Sequence, residues 1–344
     1  MRADGAEPNV LLGRQTKGYV MPYIRKVGIV GQGHVGAHVA NSLLLQGLAD
    51  ELYLCDVNAQ KLTSEAQDLR DSLSFCPRNC KIVEVGDEYE ALAGCDVIVN
   101  AAGDVSASAN DRDGELFVTT DIARTFVSRI ADAGFAGVWV SIANPCDVVC
   151  TEIWRLSGCD PRHVVGSGTA LDSARLRNAI SAETGIDQHS INAYMLGEHG
   201  FSQFAAMSCA SFGCKTLVDL ASEDPDAFGF DQPAVEERAR RGGYVTYAGK
   251  GCTEYAVANA AVRLVQAVLG NEHYVTCCST LLAGEHGERG VFASIPCVVG
   301  ATGVEKTFEL PLDERERAAF HASCEHIRGN IAKLCDWWEA ESRA

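Results

Sequence analysis

The chain has no run of 18 or more apolar residues, so a membrane-spanning helix is not expected. Positive charge is in deficit. Its 29 Lys and Arg stand against 46 Asp and Glu, a formal net charge of -17, which disfavours nucleic acid and anionic membranes as partners. Residues 1–23 lack the hydrophobic core of a signal peptide and read as a flexible N-terminal arm containing Pro8 and Pro22. There is no internal repeat or low-complexity tract. Although 15 cysteines are present, none forms a CxxC pair, and Cys76–Cys80 and Cys146–Cys150 have no histidine beside them. Buried free thiols in a reducing cytoplasm are therefore expected, with no metal.

What is present is ordinary globular composition, 47% apolar and 22% charged over 344 residues, a length that suits two domains. Apolar strand patterns at 26–30, 51–55, 81–85, 96–101, 137–142 and 163–166 alternate with helical patterns near 35–46, 58–73, 114–133 and 147–157. This predicts an α/β fold with a doubly wound parallel Rossmann sheet over residues 24–168. The pattern then changes to an α+β substrate domain over 169–344. It opens with a helix near 169–184, followed by antiparallel runs at 191–197 and 204–210. Helices near 232–248 and 253–269, a hairpin of 273–280 with 291–300, and a terminal helix near 313–338 complete it. The seam between the two domains is the expected active site.

The first strand feeds Gly31-Gln32-Gly33-His34-Val35-Gly36, and a helix follows. Three glycines in that setting suit a tight turn, close approach of a pyrophosphate, and helix–strand packing, with the phosphates on the N–H groups of the helix terminus, including His34 and Val35. The next strand ends on Asp56, 20 residues after Gly36. A carboxylate there accepts bonds from both ribose hydroxyls and repels a 2′-phosphate, which favours NAD over NADP.

A second motif, Thr169-Ala170-Leu171-Asp172-Ser173-Ala174-Arg175, precedes Gly197-Glu198-His199-Gly200, with His199 24 residues after Arg175. Asp172 and Arg175 share a helix face. A histidine held by a buried carboxylate moves a proton near neutral pH, and an arginine fork matches a substrate carboxylate. An ion-paired core Asp–Arg beside an unrelated surface histidine would give the same string.

With both motifs in place, the sequence resembles the L-lactate and malate dehydrogenase family, nearest the L-2-hydroxyisocaproate and L-lactate dehydrogenases. The resemblance runs from Lys26 almost to the C-terminus, through IANPCDVV at 142–149, LDSARLR at 171–177, MLGEHGFSQF at 195–204, GKGCTEYAV at 249–257 and ASIPCVVGATGV at 293–304. It implies that His199 exchanges the proton with the substrate oxygen, Asp172 orients it, and Arg175 holds the carboxylate. Arg112, nine residues after Gly103, would close over the carbonyl; an ordinary solvated loop charge is its alternative. Asn144, before a cis Pro145, would meet both substrate and nicotinamide, and Ala102 and Gly103 would line the cofactor crevice. Thr253 would contact the substrate carboxylate, or else cap a helix. His286, in a second EHG triplet, reads as a surface turn residue, and His321 and His326 read as solvated.

Substrate choice is expected to rest on Ser106, three residues past Gly103, where malate enzymes place an arginine and lactate enzymes a glutamine. Serine offers no counter-charge, which makes malate a poor candidate. Gly242-Gly243, where relatives carry larger residues, suggest room for a medium or bulky apolar side chain; the alternative is that they let helix and loop pack closely. The expectation is an NAD-dependent L-2-hydroxyacid dehydrogenase for such substrates, with plain L-lactate dehydrogenase as the alternative. Malate dehydrogenase or a non-catalytic NAD-binding protein ranks lower. Phe201 and Ala143 depart from the family pattern. A homodimer or homotetramer is expected.

Overall fold

The segments Val97–Asn100 and Val138–Ser141 are buried at every position, as central strands of a sheet covered on both faces must be. The computed structural model describes residues 23–104 and 112–341. Its first half alternates β1 (Lys26–Val30), α1 (His34–Leu45), β2 (Glu51–Cys55), α2 (Ala59–Ser72), β3 (Lys81–Glu84), β4 (Val97–Asn100), α3 (Arg112–Asp132), β5 (Val138–Ser141), α4 (Cys146–Ser157) and β6 (Val164–Gly166). These strands are parallel in the order β3-β2-β1-β4-β5-β6. The order reverses between β1 and β4, which opens a crevice at their C-terminal ends.

The second half begins with α5 (Ala170–Thr184), followed by the two-residue strands β7 (Ile191–Asn192), β8 (Met195–Leu196), β9 (Phe204–Ala205), β10 (Ser211–Phe212) and β11 (Lys215–Thr216). Helices α6 (Leu217–Glu223), α7 (Pro225–Phe228), α8 (Gln232–Lys250) and α9 (Tyr255–Leu269) come next. Strands β12 (Tyr274–Ala283), β13 (Arg289–Gly300) and β14 (Gly303–Thr307) lead to α10 (Glu314–Glu341). Asp231 caps α8 by accepting from Ala234 N–H at 3.2 Å, and Gly251 ends that helix in the left-handed region.

The hairpin expected within the substrate half does not stand apart. β12 pairs antiparallel with β6 through Ser279 and Gly166, so β12, β13 and β14 extend the parallel sheet to nine strands. Helix α9 returns as well. Its Val262 and Val265 join Leu43 of α1 and Leu62 of α2 on one face of the sheet, while Phe126 and Ile130 of α3 pack with Val149 and Ile153 of α4 on the other. The expected antiparallel runs at 191–197 and 204–210 survive only as β7, β8 and β9, and α6, α7 and β14 were not anticipated. Among the described residues no helix is long and apolar enough to cross a membrane. All 15 cysteines are unpaired thiols, nine of them buried.

Candidate active site

The glycine turn lies between β1 and α1, against the end of β4. Gly31 has φ +92°, and a Cβ there would sit 2.8 Å from the Ala102 backbone. A Cβ on Gly36 would overlap the Gly31 carbonyl oxygen, whereas one on Gly33 would meet nothing within 4 Å. Gly31 and Gly36 thus serve the fold, and Gly33 keeps open space in front of the helix. Gly33 is also the N-cap of α1 and offers no side-chain cap, so the first N–H groups, those of His34 and Val35 among them, are left for an anion. Asp56 closes the other side of the crevice. Its carboxylate accepts from Gln32 N–H at 2.7 Å and Asn58 N–H at 2.8 Å, which fixes it at the end of β2. An open cradle, an uncapped helix terminus and an anchored carboxylate fit a dinucleotide with a free ribose diol. Gly103 follows Ala102 at the exposed end of β4.

On the substrate side, α5 carries Asp172 and Arg175, and the link after β8 carries His199. Asp172 Oδ2 is 2.6 Å from His199 Nδ1, and Asp172 Oδ1 accepts from an Arg175 Nη at 2.8 Å. The Asp172 side chain is 1% exposed, against 23% for His199 and 19% for Arg175, so the carboxylate lies beneath two groups that face outward. The surface-histidine alternative is therefore excluded, although the Asp–Arg pair it included is real. Burial alone would lower the imidazole pKa, but the Asp172 charge and hydrogen bond outweigh it and hold His199 at about 9, with Cys146 and Asp147 adding to the effect. Burial likewise works to raise Asp172, and the cations His199 and Arg175 bring it below the usual carboxylate range. At neutral pH the histidine is an imidazolium with Nδ1 engaged and Nε2–H left to donate.

Asp147, which the motif reading passed over, supports the same loop. Its Oδ2 accepts from His199 N–H at 2.9 Å and its Oδ1 from the Ser279 hydroxyl at 2.5 Å. Burial pushes this carboxyl up to about 6, against the pull of those two bonds. Ser323 of α10 accepts from Glu198 N–H at 2.8 Å, and His326 Nε2 lies 3.4 Å from the Glu198 carboxylate, so the terminal helix also touches the histidine loop. His321 pairs with Glu288 at 2.6 Å. His286 is not a plain surface residue: its ring packs edge-on to Phe320, and its Nε2 is buried without a partner.

Asn144 is exposed at the end of β5, and its bond to Pro145 is cis. Ala143 is 6% exposed within the core beneath α3 and α4. Thr253 does not cap α9, whose N-cap is Glu254. A Cβ on Gly242 would lie 3.0 Å from Arg175 Cδ, and one on Gly243 3.4 Å from its guanidinium. Glycine here makes room for Arg175, and the expected widening of the substrate pocket loses that support. Phe201 and Tyr244, 52% and 50% exposed, stack at a tilt with ring centroids 5.8 Å apart. Ser106 lies outside the described residues, as does the side chain of Arg112, whose backbone opens α3.

Comparison with known proteins gives the same picture from sequence and from shape. Residues 25–166 match the NAD binding domain of lactate/malate dehydrogenase, and residues 169–337 match its alpha/beta C-terminal domain. An L-lactate dehydrogenase of Fusobacterium nucleatum is 40% identical over 301 residues, 87% of this chain and 94% of the relative. L-lactate dehydrogenase 1 of Bifidobacterium longum is 38% identical over 310 residues, 90% and 98% of the two chains. The ligand-bound structure of the minor L-lactate dehydrogenase of Enterococcus mundtii superposes with a TM-score of 0.87 at 32% identity, covering 90% and 98%. Two adjoining domain matches and near full-length relatives leave one assignment: this chain belongs to the lactate/malate dehydrogenase family and is an NAD-dependent oxidoreductase of 2-hydroxy acids.

Proposed function

We propose that the chain is an L-lactate dehydrogenase, interconverting pyruvate and L-lactate. The observation that carries this reading is the single buried carboxylate of Asp172, which holds an acid on one oxygen and a carboxylate-binding cation on the other. Bound NADH would supply the hydride. Arg175 pairs the substrate carboxylate with the guanidinium nitrogens that Asp172 leaves available. His199 Nε2–H then donates its proton to the keto oxygen, and in the reverse direction the neutral imidazole takes it back. Arg112 polarises the carbonyl. Asn144 orients the carbonyl oxygen and the nicotinamide edge, and Thr253 adds a hydroxyl contact to the carboxylate. The enzyme works as a homodimer or homotetramer.

Pyruvate is favoured because the relatives at 40% and 38% identity are named L-lactate dehydrogenases. In addition, the glycines at 242 and 243 are taken up by Arg175. A second reading, preference for larger apolar 2-keto acids, draws on the exposed Phe201–Tyr244 pair. Each buried methylene adds only about 0.8 kcal/mol, roughly fourfold in rate, so some overlap is expected. The test is kcat/KM with NADH for pyruvate, 4-methyl-2-oxopentanoate, phenylpyruvate and oxaloacetate. The proposal expects pyruvate to lead and oxaloacetate to trail. A lead for phenylpyruvate would overturn it in favour of the second reading.

A further inference from the structure

Three metal-ligating side chains meet beside the glycine turn, two of them 218 or more residues from the third in sequence. His34 Nδ1 is 3.1 Å from Glu254 Oε1, Cys252 Sγ is 3.2 Å from the same oxygen, and all three ligand atoms lie within 4.8 Å of one another. Among the described residues no other such group of three occurs. We propose that His34, Cys252 and Glu254 form an inhibitory site for a zinc-class divalent cation, placed at the mouth of the cofactor's phosphate cradle.

The donor set is the first reason. Imidazole, thiolate and carboxylate are the zinc ligands of proteins, and a thiolate selects against magnesium and calcium. Spacing is the second. Bonds of about 2.0–2.1 Å to N and O and 2.3 Å to S in a tetrahedron place N and O roughly 3.4 Å apart, and S and O roughly 3.6 Å apart. The two short separations here need to open by only a few tenths of an ångström. Location is the third. His34 opens α1, directly after Gly33, whose open side receives the phosphates. Cys252 and Glu254 flank Thr253 in the link between α8 and α9. An ion bridging them would pin that link across the end of α1.

The His34 side chain is 74% exposed, so the fourth position faces solvent and takes water. Three protein ligands and a water describe a reversible site rather than a structural one. Binding replaces the Cys252 thiol proton, which leaves to solvent, with a metal–sulfur bond. Lys250 already pairs with Glu254 Oε2 and leaves Oε1 for the ion. Its ammonium opposes the incoming cation and keeps affinity down.

Cobalt(II) chloride titrated into the full chain tests the site by its spectrum. One equivalent is expected to give a near-ultraviolet thiolate-to-cobalt band and tetrahedral visible bands, both displaced by zinc. The thiolate band should vanish in Cys252→Ser and weaken in His34→Gln, while Lys250→Met should bind more tightly. Zinc at one equivalent should weaken NADH binding about tenfold, with EDTA restoring it. Cys252→Ser should keep wild-type pyruvate reduction and lose the zinc effect. No thiolate band in the wild type, or an undiminished band in Cys252→Ser, would overturn the site. Unchanged NADH affinity in the zinc-loaded protein would overturn its inhibitory role.

Discussion

Asp172 divides its two oxygens between His199 and Arg175, so in the proposed function one buried charge governs both acid strength and substrate affinity. The sign of its effect on His199 decides the pH behaviour. Reduction needs the imidazolium, which persists until pH rises through about 9. Then kcat/KM for pyruvate reduction should be level around neutrality and fall above that point. The pair also stabilises the fold below the ordinary imidazole value near 6.5, a contribution that fades as pH rises through about 9. In Asp172→Asn burial is opposed only by the smaller pull of Cys146 and Asp147, and the break in the reduction profile should move down to about 6.5. At pH 7.5 protonation alone then removes about tenfold of the rate. An unmoved break would contradict the assignment. The spacing of Asp172 and Arg175 was legible in the sequence because a helix face is a local matter. Asp147 and Ser279 were not, since Asp147 meets His199 across 52 residues and Ser279 meets Asp147 across 132, contacts that no short pattern encodes.

At the scale of elements, the turn between β1 and α1 separates folding from binding within six residues. Gly36→Ala drives a methyl into the Gly31 carbonyl and should lower Tm markedly. Gly33→Ala places its methyl in open space and should leave Tm near wild type while weakening NADH binding. A thermal melt and an NADH fluorescence titration on the two variants check the separation, and equal losses in both measurements would contradict it. Strands β1, β4, β5 and β6 were readable because buried parallel strands are nearly continuous apolar runs. Strands of two residues such as β10 and β11 were not, because pairing rather than composition defines them. The return of β12 to β6 rests on a single pair, Ser279 with Gly166, and nothing local to either residue announces it. Gly242 misled for a related reason: an absent side chain looks the same in sequence whether it admits substrate or Arg175.

For the whole molecule, a nine-stranded sheet shared by both halves of the chain carries one hydrophobic cluster from the first half into the second, and the thiols report on that packing. Nine cysteines are buried, and burial pushes groups such as Cys80 and Cys95 up to about 12, so both charge and access suppress their reaction. A thiol reagent should titrate no more than the six remaining cysteines in the native protein, Cys214 first, and all 15 after unfolding without reductant. Fewer than 15 would mean disulfides and contradict the packing. In the proposed function that packing brings an acid, a cation and a dinucleotide crevice to bear on one small anion. The most direct test is a crystal structure of the ternary complex with NADH and oxamate, an unreactive isostere of pyruvate. The expected result places the oxamate carboxylate on Arg175, its carbonyl oxygen at His199 Nε2, and the pyrophosphate over Gly33. Oxamate or cofactor bound away from these groups would contradict the account.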